Sequence, residues 1–129
     1  MTETQDWRTL PAGPELDSLV ATALGWFRNP AAVCDGTPMW SDGTTCYSVL
    51  PAFSGQPGAA WEVVEAMEKR DWLLILTRRP IRPEGIVGEV AWFCEFWTPL
   101  PGFPRGNADA RTAPLAICRA AMAALEVAP

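Results

Sequence analysis

The chain has no histidine. Without an imidazole there is no Ser-His-Asp or Cys-His arrangement, no HExxH zinc site and no Cys2His2 site. Long apolar runs are also missing. Nothing approaches the roughly 18 residues that a transmembrane helix needs, and the opening MTETQDWRTL has neither the basic nor the apolar segment of a secretory signal. The expected location is therefore the cytoplasm, with no membrane as a partner. The glycines form neither GxGxxG nor GxxxxGK[ST], so no dinucleotide or P-loop nucleotide site is indicated. Cys34, Cys46, Cys94 and Cys118 make no CxxC pair, and in a reducing compartment they are expected as free thiols. No metal and no cofactor is implied. Cys94 and Cys118 lie in apolar runs and read as core residues, whereas Cys34 and Cys46 lie in loop-rich sequence.

What is present is an ordinary globular composition rich in tryptophan: 129 residues, 49% hydrophobic and 19% charged, with seven Trp. That length suits one domain, read as an N-terminal arm at 1–12 and a single domain at 13–129. The net charge of −5 is uneven. Residues 1–68 carry nine acids against Arg8 and Arg28, while 69–129 carry eight bases against six acids. A balance of this sign disfavours nonspecific binding to nucleic acid, whose phosphates reward clustered Lys and Arg. Lys69, Arg70, Arg78, Arg79 and Arg82 form a local exception. They read as a solvated strand edge that discourages edge-to-edge pairing, or as a small anion site at Arg78, Arg79 and Arg82.

Apolar spacing predicts three helices. Gly13-Pro14 opens the first, with Glu15 and Asp17 at its positive end, a stripe of Leu16, Leu19, Val20, Ala23 and Leu24, and Gly25 to end it. The second, near 57–70 and opened from Ser54 or Gly55, buries Ala60, Val63, Val64 and Met67 and sets Glu65 four residues before Lys69. The third, near 113–126, is capped by Thr112 and lined by Leu115, Cys118, Met122 and Leu125, with alanines that thin it for close packing on a sheet. Residues 72–77 are apolar on both alternating faces and read as a strand covered on both sides. They form a hairpin with 88–96, in which Val90, Trp92, Cys94 and Phe96 share a face. Residues 26–53 and 97–111 are rich in Gly and Pro and read as long loops, with a short strand admissible at 46–50. The class is α+β: helices packed on a small antiparallel sheet in the order α-(β)-α-β-β-α.

Three segments carry a resemblance. They are Leu16-Asp17-x-Leu19-Val20-Ala21-x-Ala23-Leu24-Gly25-Trp26, then Leu50-Pro51-Ala52-Phe53-Ser54 leading to Ala60-Trp61, and Thr112-Ala113-Pro114-Leu115-Ala116-Ile117-Cys118-Arg119-Ala120-Ala121. Together they resemble the phage ABA sandwich domain, a family of small proteins of tailed bacteriophages and prophages, over residues 14–126. The resemblance implies helices on a sheet and a place of action in the host bacterium. It brings no catalytic residues.

Candidate chemistry is sparse. Glu89 and Glu95 on one strand face stand about 20 Å apart at roughly 3.3 Å per residue, too far for glycosidase geometry. Asp35 and Asp42 each precede glycine, which turn formation explains. The aromatics Trp26, Trp40, Tyr47 and Phe53 lie in turn-rich sequence and not in a periodic run, so they are the candidate partner-binding residues. The expectation is a noncatalytic accessory protein that binds a phage or host protein, with self-association into a homo-oligomer admitted. The alternatives are a counter-defence binder, either an acidic decoy or a trap for a small anionic signal, and a small enzyme using carboxylate or thiol chemistry.

Overall fold

The computed structural model describes residues 6–80, 90–102 and 104–127. Arg82, Glu89 and the turn residues Pro83 and Gly85 lie outside these. The elements run α1 (Pro14–Ala23), β1 (Phe27–Cys34), β2 (Thr37–Ser41), β3 (Cys46–Tyr47), α2 (Pro57–Glu68), β4 (Leu73–Pro80), β5 (Val90–Trp97), β6 (Arg105–Ala110) and α3 (Ala113–Val127). The expected order is present. The bracketed strand position is a three-stranded antiparallel sheet, β1-β2-β3, and a sixth strand extends the hairpin to a second sheet, β4-β5-β6.

Local chemistry accounts for the helix ends. Pro14 and Pro57 stand at the first turns of α1 and α2, where a missing N–H costs nothing. Gly25, at φ 91°, takes the left-handed conformation just after α1. The Arg70 guanidinium donates to the Leu24 carbonyl at 2.6 Å and to the Ala23 carbonyl at 3.4 Å, placing a cation at the negative end of α1. At the start of α3 the Leu115 amide donates to the Thr112 hydroxyl at 3.4 Å. Asp17, expected only as a charge near a helix dipole, is 5% exposed. Its Oδ1 accepts the Ser54 amide at 2.8 Å and the Ser54 hydroxyl at 2.6 Å. Ser54 thus ties the loop to α1 and does not open α2, which begins at Pro57. Among the described residues no ion pair joins Glu65 to Lys69, whereas Arg8 pairs with Asp6 and Glu126.

Helix α3 touches β5 and β6 as well as α1 and α2. With neighbours on both sides it has little room for large side chains. Its fully buried residues are Ala116, Cys118, Ala120, Ala121 and Ala124, with Ile117 nearly so. Leu115, Met122 and Leu125, expected as the core stripe, are only half-buried. The small side chains take the centre because a backbone lies close against them.

That close approach also explains the largest correction. Residues 97–111 are not one loop: Arg105–Ala110 is a strand paired antiparallel to β5, with Gly106 opposite Phe96 and Ala110 opposite Trp92. Arg-Gly-Asn-Ala-Asp-Ala has no β-branched or aromatic residue, so local propensity gives no strand signal. Pairing with β5 and contact with α3 impose the extended form, and Gly106, Ala108 and Ala110 are the small residues that let the helix approach.

Register divides the second sheet into two faces. Leu74, Phe96 and Gly106 form one rung of the face under α3, followed by Leu76, Cys94 and Ala108. The other face carries Leu73, Trp97 and Arg105, then Ile75, Glu95 and Asn107. Leu73 is 45% exposed and Ile75 43%. Strand β4 is therefore covered on one side, not two. Cys94 and Phe96 are fully buried and Trp72 nearly so, with Trp92 packed partly against the core, in line with the expected pattern.

Candidate functional site

The segment 26–53 reads in sequence as a loop. Its turns are where they were expected: Gly36 and Gly43 have φ of 78° and 99°, and Asp35 has φ 49°. Between those turns the chain pairs as β1, β2 and β3, with Arg28 opposite Trp40 and Trp40 opposite Tyr47. Only Cys46 and Tyr47 of the admissible 46–50 strand are in the ladder. These pairings put Arg28, Trp40 and Tyr47 in one row across the sheet.

Three of the four candidate aromatics meet. The Trp26 ring stacks on Tyr47 at 5.1 Å between centroids and 25° between planes. Phe53 meets Trp26 edge-on at 5.5 Å. Such pairs contribute about 0.5–1.5 kcal/mol each beyond simple burial. Phe53 is fully buried and forms the floor, while Trp26 and Tyr47 stay half-buried. They line a cleft of about 360 Å³ whose rim carries Asp42, Glu62, Glu65, Lys69 and Arg70, a volume within the ordinary range of ligand pockets. The α2 rim residues were read in sequence only as a wet helix face. Their spacing at 62, 65 and 69 was the available signal that they share one side of the helix.

Asp42 is fixed at this rim. Its Oδ1 accepts the amides of Thr45 at 2.7 Å and Thr44 at 2.8 Å. Those two backbone hydrogen bonds, aided by one from the Tyr47 side chain, hold the carboxyl below its ordinary value of 3.8. The rim therefore carries a carboxyl group whose ionised form is favoured.

Trp40 goes elsewhere. It is 9% exposed and lies under the Arg28 guanidinium, 4.5 Å from the ring centroid. Arg28 also donates to the Pro38 carbonyl at 2.9 Å. This pair borders a second cleft of about 450 Å³, walled mainly by the start of α1 and by Val49, Leu50 and Ala52. Arg28 was not singled out in sequence; its position opposite Trp40 depends on a pairing register that sequence did not reveal. At the candidate anion site, Arg78 lies 5.9 Å from the Trp92 ring and Arg79 pairs with Ala91 in the ladder. Arg82 is outside the described residues.

The cysteines divide as their sequence context indicated. Cys34 and Cys46 are exposed, Cys94 and Cys118 are buried, and all four are free thiols. Burial pushes the Cys94 thiol up to about 12, with a smaller push from Glu95. Burial raises Cys118 further, with added repulsion from Asp17 and Cys94. Neither is a thiolate at neutral pH, so neither is a nucleophile or metal ligand as it stands. No helix among the described residues is long and apolar enough to cross a membrane.

No curated protein and no solved structure matches the chain. The sequence model of the Phage ABA sandwich domain matches residues 18–122, from within α1 to within α3 and through both sheets. With helices and two antiparallel sheets in the order described above and this match over most of its length, the chain belongs to the phage ABA sandwich domain family.

Proposed function

We propose that this bacteriophage protein is a noncatalytic accessory factor that holds a protein partner, of phage or host origin, in the cytoplasm of the infected bacterium. The observation that carries this reading is the Trp26–Tyr47–Phe53 cluster, which leaves two half-exposed rings at the mouth of a preformed cleft. Aromatic side chains with a rigid buried support supply much contact area at little cost in conformational entropy, which makes them common anchors at interfaces. The missing histidine and the raised thiols of Cys94 and Cys118 support a binding role over catalysis.

The test is affinity capture from infected cells at low and high salt, using the wild-type chain, Trp26→Ala, Tyr47→Ala and the triple variant Arg78→Ala, Arg79→Ala, Arg82→Ala. An aromatic anchor loses its partner in the two ring variants and holds it at high salt in the wild type, because apolar burial is not screened. Trp40→Ala serves as a measure of the second cleft. If both folded ring variants retain every partner, the cleft is not the binding site. Capture that vanishes with salt and with the triple arginine variant assigns binding to an anionic ligand on β4 instead.

A further inference from the structure

Strand β4 has β5 on one side and, among the described residues, no strand on the other. Leu74 and Leu76 lie on the face under α3, yet they are only half-buried while their β5 neighbours Phe96 and Cys94 are fully buried. Leu73 and Ile75 are exposed on the opposite face. A long apolar edge of this kind is a ready template for another strand. Its two ends differ in charge. At the N-terminal end a hollow of about 420 Å³ is lined by Glu68, Asp71, Trp72, Leu73, Leu74 and Pro99. Among the described residues neither carboxylate there has an ion pair. At the C-terminal end stand Arg78 and Arg79.

We propose that a second copy of this chain adds its own β4 antiparallel to this edge, about a two-fold axis at Ile75. That register sets Leu74 opposite the partner copy's position 76, Leu73 opposite 77 and Trp72 opposite 78. Apolar residues meet at the centre, and Arg78 of each strand comes to the Trp72 end of the other copy, where Glu68 and Asp71 line the hollow, twice by symmetry. Sliding the strands by two residues one way carries position 78 beyond the start of the other copy's β4 to its turn at Arg70, a like charge. Sliding them the other way sets position 78 against Leu74. Arg78 stands near one end of the strand alone, so it penalises shifted registers and leaves the central one open. The product is a six-stranded sheet with the helices of both copies on one face. This surface is separate from the aromatic cleft, so it stands or falls independently of the partner held there.

Sedimentation equilibrium across a concentration series tests the proposal. The wild-type chain is expected to dimerise reversibly. Arg78→Glu is expected to weaken the dimer at least about ten-fold, since it sets a carboxylate beside Glu68 and Asp71 of the other copy. Adding Glu68→Arg to Arg78→Glu is expected to recover most of the loss, with unchanged circular dichroism in each variant. Register is read by oxidation in a chain carrying Cys34→Ser and Cys46→Ser. There Ile75→Cys forms a disulfide-linked dimer, because equivalent residues face each other at the axis. Leu73→Cys does not, because its two copies stand about 13 Å apart along the strands. A chain that stays monomeric throughout overturns the proposal, even if it captures another protein through Arg78. So does a dimer indifferent to Arg78→Glu, or one that cross-links through position 73 and not 75.

Discussion

Replacing Gly106 by alanine adds one methyl group in the middle of β6, and the structure indicates what that group meets. A Cβ built there falls inside contact distance of the backbone nitrogen and Cα of Ala124, and 2.6 Å from the carbonyl carbon of Ala123. These are main-chain atoms of α3 and cannot rotate aside. The strand is held to β5 on its other side by a continuous ladder, so the helix has to move outward. A displacement of about 1 Å forfeits a quarter to a half of each dispersion contact along that face. Overpacking of this type costs typically 1–3 kcal/mol. Because the obstacle is rigid on both sides, the expected loss for Gly106→Ala is about 3 kcal/mol or more, and larger for Gly106→Val. At roughly 3 °C per kcal/mol for a domain of this size, the melting temperature falls by about 10 °C. Urea unfolding followed by tryptophan fluorescence measures it. Gly58, in the first turn of α2, is the internal control: a Cβ there meets nothing within 4 Å, so Gly58→Ala should stabilise by about 0.5–1 kcal/mol. If Gly106→Ala unfolds within about 0.5 kcal/mol of wild type, β6 does not lie against α3 and the account of 97–111 as a paired strand fails.

Two further outcomes follow from the side chains. In a thiol assay at mildly alkaline pH, Cys34 and Cys46 should react at once and Cys94 and Cys118 only on addition of denaturant, since the latter pair is buried and its thiols are raised; four fast thiols would contradict the packing of α3 on β5. The Asp42 carboxyl, followed by carbon NMR, should titrate with a midpoint below 3.8, with the Thr44 and Thr45 amides shifting in step. Because the folded value is depressed, its contribution to stability is present above the unfolded value and is lost as pH falls through the folded one. A midpoint at or above 3.8 would show that the 42–45 turn is open in solution.

The helices were legible because each presents an amphipathic period with a proline or hydroxyl at its start, and the β4–β5 hairpin because Val90, Trp92, Cys94 and Phe96 alternate with less apolar residues. Which residues of α3 fill the centre was not. Leu115 and Leu125 are the larger apolar side chains, but a helix with neighbours on two sides excludes bulk, and the alanines win on volume. Strand β6 was invisible for a related reason: its residues were selected for smallness under a helix, and small polar residues also compose loops. At the site, the aromatics Trp26, Tyr47 and Phe53 were identified by their occurrence outside any period, and they do converge. The departure of Trp40 to a second cleft, and the arrival of Glu62, Glu65 and Lys69 at the first, depend on how β1–β3 fold back toward α2. That placement is long-range, and no local pattern encodes it.

Helix α3 lies downstream of every element it touches. While the chain is being made, α1, α2 and β5 emerge with their apolar surfaces facing a space that nothing yet occupies, because the filling for it has still to be translated. Local pieces can form early, but the core is complete only once residues 113–127 are in place. Completion of the core is thus a late event, and sticky surface stays open in the interim. That interval is when chaperones and proteases compete for the chain, and it closes when one alanine-rich helix docks.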